Sequence, residues 1–330
     1  MGQYADSWRS GRTMRRAQAA VPAQSLAARL QRLGRAMWKH RWYYFLLIAP
    51  LTYYLVFRYI PIWNAQIAFK DFFALKGVEG SPWVGFQHFE AFFQSFYFSE
   101  LIVNTVIFSL ARLIFGMPIA IILALAIHES RFLLFRSLVQ TVTYLPHFLS
   151  WVIMLGLLLG LLSPSSGLIN EIIKAAGGQP ISFLTTPAWF RQVVILSDIW
   201  KETGWSTILY LAALFGINPD LYEAAAVDGA TSWRRIWHIS LPGIIPVIVL
   251  ITLLRLGNIL DVSFQQIWVL YSVPVYSVGD IIDTWVYRSG VLDFQFSLAT
   301  AVGLFKGAIG LILILVANQV AKRAAQQSLF

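Results

Sequence analysis

Asp198, Lys201 and Glu202 stand three and four positions apart, so a helix through them carries all three on one face, and Trp205 follows one turn on. Arg255, Asn258 and Asp261 recur at intervals of three and share a second face. Both sets interrupt strongly apolar stretches. Ionisable groups are costly in lipid, so in such a setting they face a cavity or pair with one another. Two chemistries fit. A path lined by Lys201, Glu202, Trp205, Arg255 and Asn258 would pass a polar solute, with the Trp205 indole stacking on a sugar ring. Alternatively, Asp198, Glu202 or Asp261 would serve as proton sites of a proton-coupled secondary transporter. The plain structural reading is an Asp198–Lys201 pair within one helix, while Lys306 reaches an interface along its alkyl stem.

Other chemistry is missing from the sequence. No Gly-x-x-x-x-Gly-Lys-Ser/Thr loop is present to cradle a nucleotide phosphate. His40, His88, His128, His147 and His238 are scattered, without metal-ligand spacing. There is no Gly-x-Ser-x-Gly nucleophile turn and no cysteine. His147, behind Pro146 in an apolar run, reads as a core histidine bonded to a neighbouring helix. The chain is therefore expected to be no enzyme, to hold no cofactor or metal, and to draw its energy from partners.

The elements that must position these residues are membrane spans. The chain is 58% hydrophobic and 12% charged, whereas soluble domains carry roughly 45–50% apolar and about 25% charged residues. Six stretches reach the roughly 20 apolar residues that a spanning helix needs: 43–62, 101–127, 138–162, 193–217, 241–260 and 298–320. The fourth is the least apolar, because it holds Asp198, Lys201 and Glu202. The expected fold is an all-α integral membrane protein of six transmembrane helices. Of the 25 Lys and Arg residues, 15 fall on the side holding both termini and 6 on the other. The positive-inside rule puts both termini in the cytoplasm. The net charge of +9 is thus a topology signal, and nucleic acid is not an expected partner. The spans themselves keep a net +2, which suggests an anionic solute.

Outside the spans, residues 1–24 form a basic tail and 321–330 a cytoplasmic C-terminal tail. Residues 25–42 place Leu26, Leu30, Leu33 and Met37 on one helical face with Arg29, Arg32, Arg35 and Lys39 elsewhere, which predicts an amphipathic helix lying on membrane lipid. On the outer side, Ser165–Ala176 predicts a short helix capped by Ser165 or Ser166, and Asp280–Arg288 another. The cytoplasmic segment 218–240 is the most informative. Asn218 is a good N-cap, Pro219 suits a first turn, and Asp220 and Glu223 favour the positive helix end. Gly229 then closes that helix, and Thr231 or Ser232 opens a second one running to His238.

This hairpin resembles the EAA motif of binding-protein-dependent ABC importer permeases: Glu-Ala-Ala, three residues, Gly, nine residues, Ile, one residue, Leu-Pro. Glu223, Ala224, Ala225, Gly229, Ile239, Leu241 and Pro242 fall on it without a gap. Ser81–Gly85, Tyr144–His147, Leu162–Gly167, Gly204-Trp205, Tyr222–Gly229, Trp237–Gly243, Gly257–Leu260 and Ala299–Phe305 resemble the polysaccharide branch of carbohydrate permeases, alginate importers among them. The likeness covers roughly residues 40 to 320.

The resemblance implies the type I ABC importer permease fold, with cytoplasmic coupling helices. It implies a place in the bacterial inner membrane, a second permease subunit distinct in sequence so that the pair is a heterodimer, and two ATPase subunits that bind ATP and Mg. It further implies an extracytoplasmic solute-binding protein and an oligo- or polysaccharide substrate, acidic and alginate-like if the spans' charge is a guide. Glu223, Ala224, Ala225, Asp228, Gly229, Ile239, Leu241 and Pro242 would form the ATPase-coupling set, with Glu223 meeting a basic residue of the ATPase.

Overall fold

The computed structural model describes residues 35, 37–261 and 264–325. The tail 1–24, the amphipathic helix expected over 25–42 except for its end, and residues 326–330 lie outside the described residues. All regular structure among the described residues is helical, apart from one isolated bridge between Lys70 and Trp83.

The chain divides after Trp63 into two compact units. In the first, helix α1 (Arg41–Tyr54) contains Pro50 and passes into a π turn at Leu55–Tyr59. In the second, α2 (Phe98–Ala111) passes through a π turn at Arg112–Gly116 into α3 (Met117–Glu129). Then come α4 (Leu133–Tyr144), α5 (Trp151–Leu162), the outer helix α6 (Leu168–Ala175) and the long α7 (Pro187–Phe215). The hairpin follows as α8 (Pro219–Val227) and α9 (Ser232–Arg235), and a π turn at Ile236–Ser240 leads into α10 (Leu241–Gly257). After α11 (Phe264–Leu270) and α12 (Ile282–Tyr287), α13 (Phe296–Ala325) ends the described chain.

Three π turns have a sequence cause. Pro61, Pro118 and Pro242 each stand two residues beyond one of them. Proline lacks the N–H for the i→i−4 bond, and its ring collides with that carbonyl. An inserted residue relieves the collision and lets the helix continue.

Four stretches are long and apolar enough to cross a membrane: Arg41–Phe69, Phe98–Glu129, Ser232–Gly257 and Phe296–Val320. Leu133–Phe148 and Trp151–Leu162 qualify only as a pair, bent by 110°. The continuous span expected over 138–162 is therefore broken. Pro146 sits in a 3-10 turn at Leu145–Phe148, and Ser150 restarts the helix by accepting the Ile153 N–H at 3.3 Å. The hairpin's second helix is not a separate element either, because α9 runs through its π turn directly into α10. On the outer side, α6 starts at Leu168 with Gly167 rather than a serine at its N-cap. The buried Asn170 side chain ties it down, donating to the carbonyls of Leu162, Ser163 and Ile181 and accepting from the Ile181 N–H.

Two buried clusters bracket the middle of α7. Phe190 and Val194 pack with Phe108, Leu158, Ile267 and Ile281 towards its N-terminal end. Tyr210, Leu211 and Leu214 pack with Ala120, Ala124 and Ile244 towards its C-terminal end. The polar residues singled out in the sequence lie between these two apolar layers.

Candidate functional site

The 29 residues of α7 extend about 43 Å at 1.5 Å each, and Asp198–Ser206 occupies the middle. Each charge in this belt has a specific partner. Arg112, at the start of a π turn, donates from Nε to Asp198 Oδ2 at 2.7 Å and from Nη2 to Asp198 Oδ1. Asp198 thus pairs across to the second span rather than with Lys201 on its own helix. Lys201 is only 5% exposed. Its ammonium donates to the carbonyls of His147 at 2.5 Å and Pro146 at 3.3 Å. These carbonyls stand at the break in the span, where that of Pro146 also accepts the Leu149 N–H at 3.2 Å, and a cation suits the negative end of a helix. Glu202 Oε2 lies 3.2 Å from Nδ1 of His147. The imidazole stacks parallel on the Trp205 indole, with centroids 4.5 Å apart and planes 3° apart.

Gly204 allows this close approach. A Cβ there would overlap the Thr143 carbonyl and the Tyr144 nitrogen, so only glycine lets α7 meet the end of α4.

A cavity of about 580 Å³ opens along the belt. Glu202, Trp205, Arg255 and Asn258, four of the residues expected to line a path, border it. Lys201, expected with them, does not border it and caps the helix break instead. Arg112, Asp198 and Asp261 complete the charged part of the wall. Arg112 was visible in the sequence as a lone cation within an apolar run. Nothing local ties it to Asp198, 86 residues away.

Each carboxylate in the wall has a basic partner: Arg112 for Asp198, His147 for Glu202 and Lys306 for Asp261. Arg255 donates to Ser206 Oγ at 2.8 Å and forms no ion pair among the described residues. The Asn258 amide bonds back to the Leu254 carbonyl at 3.1 Å. Lys306 does not reach an interface. It bridges Asp261 at 2.5 Å and Asp283 at 2.6 Å. Burial raises the pKa of the Asp283 carboxyl above its ordinary value, and the hydrogen bond from Lys306 offsets this only in part.

The hairpin is closed by local bonds. Asn218 Oδ1 accepts the Asp220 N–H at 3.0 Å. At the other end Gly229 has φ +73°, its N–H bonds to the Ala226 carbonyl, and the Ala230 N–H bonds to the Ala225 carbonyl. This is a Schellman closure, which needs the left-handed residue that glycine supplies at least cost. Tyr222 reaches Ser240 Oγ at 3.0 Å, and Arg235 pairs with Glu129 at 3.1 Å, so α8 is fixed to the π turn before α10, and α9 to the end of α3. Glu223, Ala224, Val227, Asp228 and Gly229 remain exposed, as does Pro242, whereas Ala225, Ile239 and Leu241 are half-buried.

The family described as binding-protein-dependent transport system inner membrane component matches residues 116–326, which include the hairpin and most of the cavity wall. The chain belongs to this family. It is the permease subunit of a binding-protein-dependent ABC importer, a non-catalytic, multi-pass component of the inner membrane. A proton-coupled secondary transporter is thereby set aside. Among relatives, this permease is 41% identical over 96% of its length to the polygalacturonan/rhamnogalacturonan transport system permease protein YteP of Bacillus subtilis, all of which is covered. It is 42% identical over 89% of its length to the protein LplB of the same organism, of which 93% is covered. Its fold is similar to that of a chain in the crystal structure of a bacterial ABC transporter involved in the import of the acidic polysaccharide alginate. The TM-score there is 0.83, with 42% identity over 89% of this chain and 99% of that one. A second alginate transporter structure, in complex with an alginate pentasaccharide-bound periplasmic protein, also gives a TM-score of 0.83.

Proposed function

We propose that this permease forms half of the translocation path for an acidic oligo- or polysaccharide handed over by an extracytoplasmic solute-binding protein. The observation that carries the reading is Arg255. Among the described residues it is the cation of the cavity wall that lacks an acidic partner, whereas each wall carboxylate already has a basic one. The wall as a whole is not cationic, so the attraction is local to that guanidinium. Arginine suits the role because its planar fork binds carboxylates in two-pronged fashion. The names of YteP and of the alginate transporter support a saccharide of this kind.

In this reading Glu202, Trp205, Arg255 and Asn258 line the path, and Lys201 holds the wall behind it. The permease crosses the membrane six times. Four plain spans and the bent pair are joined by α7, whose buried charges are paired and so tolerable in lipid. Both termini then lie in the cytoplasm. A second, different permease subunit supplies the other half of the path, and two ATPase subunits bind ATP and Mg.

The exposed face of α8, with Glu223, Ala224 and Asp228, docks on an ATPase beside Ala225 and the Gly229 turn. Ile239, Leu241 and Pro242 pass its displacement into α10, since α9 and α10 form one uninterrupted helix. Binding of labelled acidic and neutral glycans to the cognate solute-binding protein tests the reading. Retention of a uronate oligomer is expected, and retention of neutral glycans alone would overturn the acidic substrate.

A further inference from the structure

We infer that His147 is a positioning residue for transport, fixing the Trp205 indole as the platform on which a pyranose ring of the substrate rests. The inference depends on the cavity being the saccharide path. Trp205 borders the cavity and His147 does not, although the two rings are parallel and 4.5 Å apart. The imidazole thus covers one face of the indole, and the opposite face is the one left for a sugar ring. Phe148 meets the indole edge-on at 6.1 Å and 84°, which limits sideways tilting.

His147 is itself held at three points. Glu202 bonds its Nδ1 at 3.2 Å, and Lys201 bonds its main-chain carbonyl at 2.5 Å. Pro146 fixes the backbone just before it, in the 3-10 turn that breaks the span. Gly204 lets α7 come close enough for these contacts to form together.

The physical need is clear. An indole that is 45% exposed at a cavity wall could rotate about its side-chain bonds, and each sugar ring would then meet a different surface. Backing by a second ring removes that freedom before the substrate arrives. A pyranose presents a face of C–H groups that suits a flat aromatic surface. Trp205 would thus read the ring, and Arg255 on the same cavity would read its carboxylate. The ligand class is a chain of pyranose acids, in which both features recur in every unit.

The test uses the complete importer in proteoliposomes, with alginate pentasaccharide and an oligogalacturonate of equal length as probes. Trp205→Ala is expected to lower uptake roughly tenfold or more, and His147→Ala roughly five- to tenfold, as loss of an aromatic pair and its order implies. His147→Phe, which keeps a ring, should return uptake to within about twofold of wild type, while His147→Gln, which keeps only a hydrogen bond, should not. The double variant His147→Ala/Trp205→Ala should match Trp205→Ala alone within about twofold, because one residue acts through the other.

Normal uptake by His147→Ala beside an impaired Trp205→Ala would overturn the role of His147 and leave the cavity reading standing. Additive losses in the double variant would overturn it as well, since they mark a general structural effect. Normal uptake by Trp205→Ala would remove the path reading and the inference with it. Where His147→Ala does not assemble, the order of the other two decides: Phe above Gln is expected, and Gln above Phe overturns the inference.

Discussion

Arg112 closes a two-pronged pair on Asp198, joining the π turn after α2 to the middle of α7. This pair explains how the least apolar of the six expected spans can hold a buried carboxylate between two apolar layers. Asp198 is buried, and its charge is matched from another helix.

Removing one member of the pair strands the other. Arg112→Ala or Asp198→Ala should cost about 3–5 kcal/mol, in line with other broken buried pairs. The Arg112→Ala/Asp198→Ala double variant should cost clearly less than the sum of the two. Thermal unfolding of the detergent-solubilised importer measures this. Strictly additive losses would mean that the two side chains act independently.

Gly204 should be intolerant of any side chain. A Cβ at this position collides with the backbone of Thr143 and Tyr144, which cannot move without parting α7 from the helix break. Gly204→Ala should destabilise by about 1–3 kcal/mol, as overpacking does. Gly116→Ala is the control, since its Cβ would meet only Ile199 at 3.9 Å. Melting temperatures of the two variants should separate by several degrees. Equal temperatures would show that the close approach carries no constraint.

Coupling should fail separately from folding. At Gly229 the φ of +73° costs an alanine about 1–2 kcal/mol, and no atom lies close enough to a new Cβ to add a clash. Gly229→Ala should insert in the membrane yet lose most uptake relative to ATP hydrolysis. Gly229→Asn should recover part of it, because asparagine tolerates the left-handed region. Glu223→Ala should uncouple in the same way through lost docking, with the hairpin intact. The number of saccharide molecules taken up per ATP hydrolysed measures both, and an unchanged ratio would remove the hairpin from the coupling path.

What the sequence revealed followed the range of the interactions involved. The Asn218 cap and the Gly229 turn could be read directly, because their bonds close within five residues. The shared face of Asp198, Lys201 and Glu202 was legible from spacing, but their partners were not. Arg112 is 86 positions from Asp198, and Lys201 bonds carbonyls 54 and 55 positions away. Those carbonyls lie at the 110° break beside Pro146. Pro118 and Pro242, also within apolar runs, leave their helices continuous through π turns. Proline alone therefore could not announce the break, nor the displacement of Lys201 from the path to the wall behind it.

Arg255, without an acidic partner among the described residues, is the group on which the proposed acidic-saccharide path rests. The decisive measurement is uptake by reconstituted wild-type and Arg255→Ala importers of an oligouronate and of its carboxyl-reduced, neutral counterpart. Loss of one charge-assisted contact should lower uptake of the acidic chain roughly tenfold or more, with the neutral chain affected by about twofold or less. Equal losses for the two substrates would show that Arg255 does not recognise the carboxylate, and would remove the basis for an acidic substrate.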